Sequence, residues 1–183
     1  MLEAAGVPFE PIDAPLDEEA VKAELRPRGL GAAALAAALA ERKALSASAA
    51  PKELVLGCDQ TLELDDCEML DKPQSREDAF RQLRRMSGRE HRLHSAAAIA
   101  VESEVIWSGA ETVRLWVRPL SDAFISTYLD REYEEIRWSV GGYRIEGPGV
   151  QLFERIEGSH FAILGLPLLP LLGYLRGQGI IER

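Results

Sequence analysis

The amino-acid sequence predicts a mixed α/β protein, with helices before and after an antiparallel block and a cleft between two lobes. Three observations carry this reading. An early stretch, "GAAALAAALAERKALSASA", has high intrinsic helix propensity. A central block, "HRLHSAAAIAVESEVIWSGAETVRLWVRPL", reads as antiparallel strands. A closing run, "PLLPLLGYLRGQG", reads as a helix with Pro167 suited to its first turn.

The elements follow in order. "PFEPIDAPLDEEAVKAEL" starts extended, because Pro8, Pro11 and Pro15 disfavour helix, and turns helical at Asp17, an N-cap followed by acidic residues. The next helix carries Leu35 and Leu39 one turn apart. "LVLGCDQTLEL" is strand-like, with Gly57 expected to break it and present Asp59. "SREDAFRQLRRMSG" is a short helix capped by Ser75, with Phe80 and Leu83 on one face and Gly88 at its end. The central block is expected to hold two or three strands, with turns near Ser103 and Gly109. "LSDAFISTYLD" is a helix capped at Ser121 and buried through Phe124, Ile125 and Tyr128. "GGYRIEGPGVQLFERIEG" reads as glycine-punctuated strand.

Composition excludes several function classes. The net charge of -9 argues against binding a nucleic-acid polymer, whose phosphates demand a basic surface. Two cysteines, Cys58 and Cys67, are too few for a disulfide framework and lack companion ligands for structural zinc. The start shows no secretory pattern, and "FAILGLPLLPLLGYL" is too short for a bilayer and broken by prolines and glycines. The expectation is a cytoplasmic protein with no membrane partner.

Five local features combine chemistry with turn residues: Lys43 in "AERKAL", Asp59 and Gln60 in "GCDQ", Lys72 in "LDKP", Ser87, Gly88 and His91 in "SGREH", and Arg144 and Glu146 in "GGYRIEGPG". Taken singly, each has a plain explanation as a turn, surface or core residue. Cys58 has nothing local to activate it as a nucleophile.

The series is more specific than its members. "ERKAL" resembles a "KA" motif, "GCDQ" stands in the place of "ADT" or "SDQ", and "LDKP" in that of "GKP". "RMSGREHRLHSAAAIA" matches "LSGxxHxVxTGxAL". In this order they resemble the Maf family of nucleoside triphosphate pyrophosphatases, and the likeness runs from Leu2 to the C-terminus. It implies a single Maf-like domain over residues 1–183 with the α/β fold of the Maf and inosine-triphosphatase-like group, a two-lobed mixed sheet with flanking helices and a central cleft lined by Lys43, Asp59, Lys72 and Glu146. The family's opening "SxSPRR" segment has no counterpart, so the domain reads as shortened at its N-terminus. A homodimer is expected from the family.

The resemblance implies hydrolysis between the α and β phosphates, giving a nucleoside monophosphate and pyrophosphate. Asp59 takes the proton-acceptor position. Lys43 and Lys72 suit phosphate oxygens. Mg²⁺ or another divalent metal is implied, with Asp59 and, on weaker grounds, Glu18 as ligands; "LDEE" reads equally well as helix N-terminal charge. Gln60 and Glu146 stand where pyrimidine-nucleotide members carry threonine and glutamine, which resembles the subgroup acting on 7-methyl-GTP. A carboxylate can accept the two adjacent N–H donors of a guanine edge, and methylation at N7 adds a positive charge that Glu146 favours. Trp138 or Tyr143 is expected to stack on the ring. Two competing classes are a degenerate member that binds nucleotide or a protein without catalysis, and a redox or metal protein built on the cysteines and histidines.

Overall fold

The computed structural model describes residues 1–25, 29–47, 50 and 52–182. Five strands form one sheet in the order β2-β1-β3-β4-β5: β1 Val55–Leu64, β2 Met69–Leu70, β3 Glu90–Val101, β4 Glu104–Val117 and β5 Phe153–Glu157. The helices are α1 Glu18–Leu25, α2 Ala32–Ser46, α3 Arg76–Met86, α4 Asp122–Ile136, α5 His160–Ile163 and α6 Leu168–Gly177. The chain divides into two compact units, one of Met1–Gln60, Ser95–Glu111 and Ser159–Arg183, the other of Thr61–His94 and Thr112–Gly158.

In the first unit the sheet buries both faces. On one, Ala36, Ala40 and Ala44 of α2 meet Ala96, Ala98 and Ala100 of β3. The helical spacing of four and the strand spacing of two put these methyls on facing stripes. On the other, Ala97 and Ile99 meet Leu168, Leu171 and Leu175 of α6, with Leu56 and Cys58 of β1 packed alongside. Trp107 and Tyr174 stack at 5.3 Å between ring centroids at the edge of this core. A cavity of about 390 Å³ runs beside the start of β1, lined by Leu54, Val55, Leu56, Phe9, Ile12 and Leu171, and includes none of the candidate site residues.

In the second unit β1 pairs antiparallel with β2, Leu62 opposite Leu70, and β4 pairs antiparallel with β5, Arg114 opposite Glu157. Ser75 caps α3 by accepting from the Asp78 amide at 3.1 Å, and Ser121 caps α4 by accepting from the Phe124 amide at 3.2 Å. Arg76 of α3 reaches Asp130 and the Ser126 carbonyl of α4. The acidic turn after β1 is neutralised by Arg85 and Arg89, which pair with Asp65, Asp66 and Glu68.

Four expectations are corrected. There is no turn near Gly109, and β4 runs through it. A methyl there would lie 2.8 Å from Trp107 Cζ2, so this glycine makes room for the indole. The segment 141–158 consists of short 3-10 helices and a turn, with strand only over Phe153–Glu157. Gly141 and Gly142 take positive φ of 80° and 64°, which breaks any extended run. Phe124 is half-buried and covered by the Arg118 guanidinium 4.3 Å above its ring. The first long helix was expected through Ala49; it ends at Ser46, and Ser48 and Ala49 lie outside the described residues. Asp17 does cap α1, accepting from the Ala20 amide at 3.0 Å.

Candidate functional site

Gly57 does not break β1; the strand continues to Leu64. Its role is to let a helix approach. An added Cβ would lie 2.3 Å from the Ala40 carbonyl oxygen and 2.4 Å from the Ala44 nitrogen. With Gly57 and the alanine stripes in contact, α2 lies almost directly on the sheet. Lys43, one residue before Ala44, then reaches Asp59, two residues beyond Gly57 on the same strand face. Lys43 Nζ donates to Asp59 Oδ1 at 2.7 Å and pairs with Glu18 Oε1 at 2.8 Å. α1 thus supplies a second carboxylate to the same ammonium.

The Asp59 side chain is 9% exposed. Burial pushes its carboxyl above the ordinary range, opposed by the bond and charge of Lys43. Burial also works against the Lys43 ammonium, yet the bonds and charges of Asp59 and Glu18 hold its pKa above the usual value. Burial and the ion pair thus act in opposite senses on each partner; for Asp59 burial prevails, and for Lys43 the carboxylates do. A lysine ammonium has three N–H donors, and two are spent here. The third is left for an incoming anion. Two hard carboxylate oxygens converging on one point also suit Mg²⁺, which takes one or two carboxylates and fills its shell with water and phosphate oxygens. Among the described residues no group of three or more His, Cys, Asp or Glu is placed to hold a metal.

Gln60 points to the opposite face of β1. Its Nε2 donates to Ser95 Oγ at 2.8 Å and to the carbonyls of Ala162 at 2.8 Å and Ile163 at 3.1 Å in α5. Lys72 and Glu146 belong to the second unit and are both exposed, Lys72 after β2 and Glu146 in a turn. Arg144, two residues before Glu146, is held by Glu132 at 3.3 Å and Glu135 at 3.1 Å. Of the expected residues, the structure therefore joins Glu18, Lys43 and Asp59 directly.

His91 and Tyr143 are core residues. His91 is 1% exposed, its Nε2 lies 2.8 Å from the Tyr143 hydroxyl, and Nδ1 has no partner. Burial pushes the imidazole down to about 4. Tyr143 packs edge-on to Phe153 and is 5% exposed, which removes it as a stacking platform for a base. Trp138 is 69% exposed. Burial pushes the Cys58 thiol up to about 11, the reverse of what an activated thiolate needs. Ser87 ties the end of α3 to the loop between β4 and α4 by accepting from the Leu120 amide at 2.7 Å.

Lys43 and Asp59, singled out separately in the sequence, thus form a part-buried ion pair beside Gly57. A family model described as Maf-like protein matches residues 1–178. The chain belongs to the Maf family. This Maf chain is 51% identical over 181 residues to a "Nucleoside triphosphate pyrophosphatase" of Sphingopyxis alaskensis, covering 98% of this chain and 91% of that protein. It is 45% identical over 183 residues to a "7-methyl-GTP pyrophosphatase" of Rhizobium etli, covering 100% and 92%. A "Nucleoside triphosphate pyrophosphatase" of Ruegeria sp. is 44% identical over 184 residues, covering 100% and 92%.

Sequence reasoning missed two residues near this Maf site. Ser95 sat inside an unremarked alanine-rich run, although the family pattern's threonine at that position was a signal. The close approach at Gly57 was read as a strand break, since a glycine in a strand signals either.

Proposed function

We propose that this Maf protein hydrolyses the α–β phosphoanhydride of a nucleoside triphosphate, releasing nucleoside monophosphate and pyrophosphate. The observation that carries it is the Lys43–Asp59 contact, with Glu18 on the same ammonium. Asp59 accepts a proton from a water aimed at the α phosphorus. The new bond joins that water oxygen to phosphorus, the bond to the bridging oxygen breaks, and pyrophosphate leaves with its electron pair. Lys43 donates its remaining N–H to a phosphate oxygen and stabilises the charge that builds there. Asp59 and Glu18 are the residues that would hold Mg²⁺, which would neutralise phosphate charge. In the second unit, Lys72 is assigned to phosphate and Glu146 to the base.

The finer reading is a 7-methyl-GTP-like substrate. Its support is Gln60 and Glu146, and relatives that carry the name 7-methyl-GTP pyrophosphatase. A cytoplasmic homodimer belongs to the same reading, supported by two free cysteines and the family resemblance, with light scattering as its check. No helix among the described residues is long and apolar enough to cross a membrane.

The deciding experiment measures pyrophosphate release from 7-methyl-GTP, GTP and UTP with Mg²⁺ for the parent and Asp59→Asn. The variant keeps the shape of the side chain and loses the acceptor charge. Turnover should fall by about 100-fold or more with the melting temperature little changed. Nucleotide binding by the parent without pyrophosphate release would favour the non-catalytic reading.

A further inference from the structure

The Gln60 carboxamide has an orientation that the bonds around it decide. Three oxygens surround Nε2: Ser95 Oγ, Ala162 O and Ile163 O, all within 3.1 Å. Ser95 Oγ itself donates to Ala162 O at 2.5 Å. Its only hydrogen is therefore spent, and toward Gln60 it acts as an acceptor. Turning the amide over would set Oε1 against two carbonyl oxygens and a hydroxyl lone pair. The two Nε2 hydrogens are thus committed inside the unit. Oε1 accepts no hydrogen bond among the described residues and is not one of the buried unpartnered atoms. Ser95 is 0% exposed, so its hydroxyl does not itself face solvent.

We propose that Ser95 is a positioning residue that locks Gln60 as an acceptor-only contact, so that position 60 selects a nucleobase presenting an N–H donor. This rests on the pyrophosphatase reading and deepens it. A free glutamine can rotate its amide to offer either a donor or an acceptor, and so discriminates poorly. A locked one rejects a ring that offers an acceptor, because two facing oxygens cannot share a proton. In guanine the donors are N1–H and the 2-amino group. Gln60 and Asp59 lie on opposite faces of β1, so the locked oxygen is separate from the Lys43–Asp59 pair, which the pyrophosphatase reading assigns to the phosphates.

The test compares the parent, Ser95→Ala and Ser95→Thr on GTP, ITP, which lacks the 2-amino group, and 1-methyl-GTP, which lacks N1–H. In Ser95→Ala the preference for GTP over at least one analogue should shrink by about 3- to 10-fold in kcat/KM, the size of one hydrogen bond. The change should come through the KM for GTP, with kcat on the analogues within twofold of the parent. Ser95→Thr keeps the hydroxyl and should restore the preference. Equal losses on all three nucleotides, or unchanged ratios, overturn the proposal. A second readout is independent of turnover: the Gln60 side-chain amide signals in ¹⁵N NMR of the ligand-free protein, assigned by their loss in Gln60→Met. Slow solvent exchange in the parent and at least 10-fold faster exchange in Ser95→Ala support the lock; fast exchange in the parent overturns it. A parent that hydrolyses no nucleotide refutes the pyrophosphatase reading and the base selection built on it, with the amide exchange still deciding whether the lock exists.

Discussion

Replacing Gly57 by alanine adds one methyl at the tightest helix–sheet contact around Asp59. Its carbon would sit 2.3 Å from the Ala40 oxygen, 2.4 Å from the Ala44 nitrogen and 3.1 Å from the Ala44 Cα. Comfortable carbon contacts begin at about 3.5 Å, so α2 must withdraw by roughly 1 Å. All three obstacles are backbone atoms, and no side-chain rotation relieves them. Overpacking of this kind typically costs 1–3 kcal/mol, and a backbone clash belongs near or above 3 kcal/mol. For a chain of this size that is a melting-point loss of about 6–12 °C. The same withdrawal separates Lys43 Nζ from Asp59 Oδ1, now 2.7 Å apart, so kcat/KM should fall even where the variant is fully folded. Gly173→Ala is the control: it lies inside α6 with nothing within 4 Å of the added carbon, and should be neutral or stabilising by up to about 1 kcal/mol. Urea unfolding and pyrophosphate release of the two variants check this. Gly57→Ala within 0.5 kcal/mol of the parent, on the order of an ordinary surface change, would refute the close-approach argument.

The remaining predictions concern pH and base choice. His91 is neutral in the fold, with its imidazole pushed down to about 4 from 6.5, so the unfolded chain binds the extra proton first. Its contribution is fully present above pH 6.5 and is lost as pH falls from there to about 4, a total of about 3 kcal/mol; His91→Gln should flatten that slope in urea titrations. Glu146→Gln should lower kcat/KM for 7-methyl-GTP about 5- to 150-fold more than for UTP, and equal losses would reassign Glu146 to the phosphates.

Some of this was legible because it is local. Ser75, Ser121 and Asp17 announce their helices through bonds that reach only three residues ahead, and all three were readable in the sequence. The family series likewise singled out Lys43 and Asp59, though nothing in their separation of sixteen positions shows that they touch. What escaped was tertiary. Gly57 and Gly109 look like breaks in a string of letters, yet each sits mid-strand because a neighbouring helix or indole occupies the missing side chain's place. The segment 141–152 has the composition of a strand but the backbone of turns and short 3-10 helices, because paired glycines with positive φ reverse it ahead of the strand Phe153–Glu157. Asp59 and Gln60 read as one motif, but strand alternation sends them to different faces.

The contact between α2 and β3 is made of alanines on both sides, with a glycine from β1 beside them. Such an interface is asymmetric under mutation. From leucine or phenylalanine a substitution can shrink or swell the side chain, and neighbours can compensate in either direction. From alanine nearly every change adds volume, and no larger partner stands opposite to be trimmed. This part of the molecule therefore drifts badly: two simultaneous changes rarely rescue what one has broken. In a saturation scan it should appear as a stripe of intolerance at positions 36, 40, 44, 57, 96, 98 and 100, tracing a line to the Lys43–Asp59 pair.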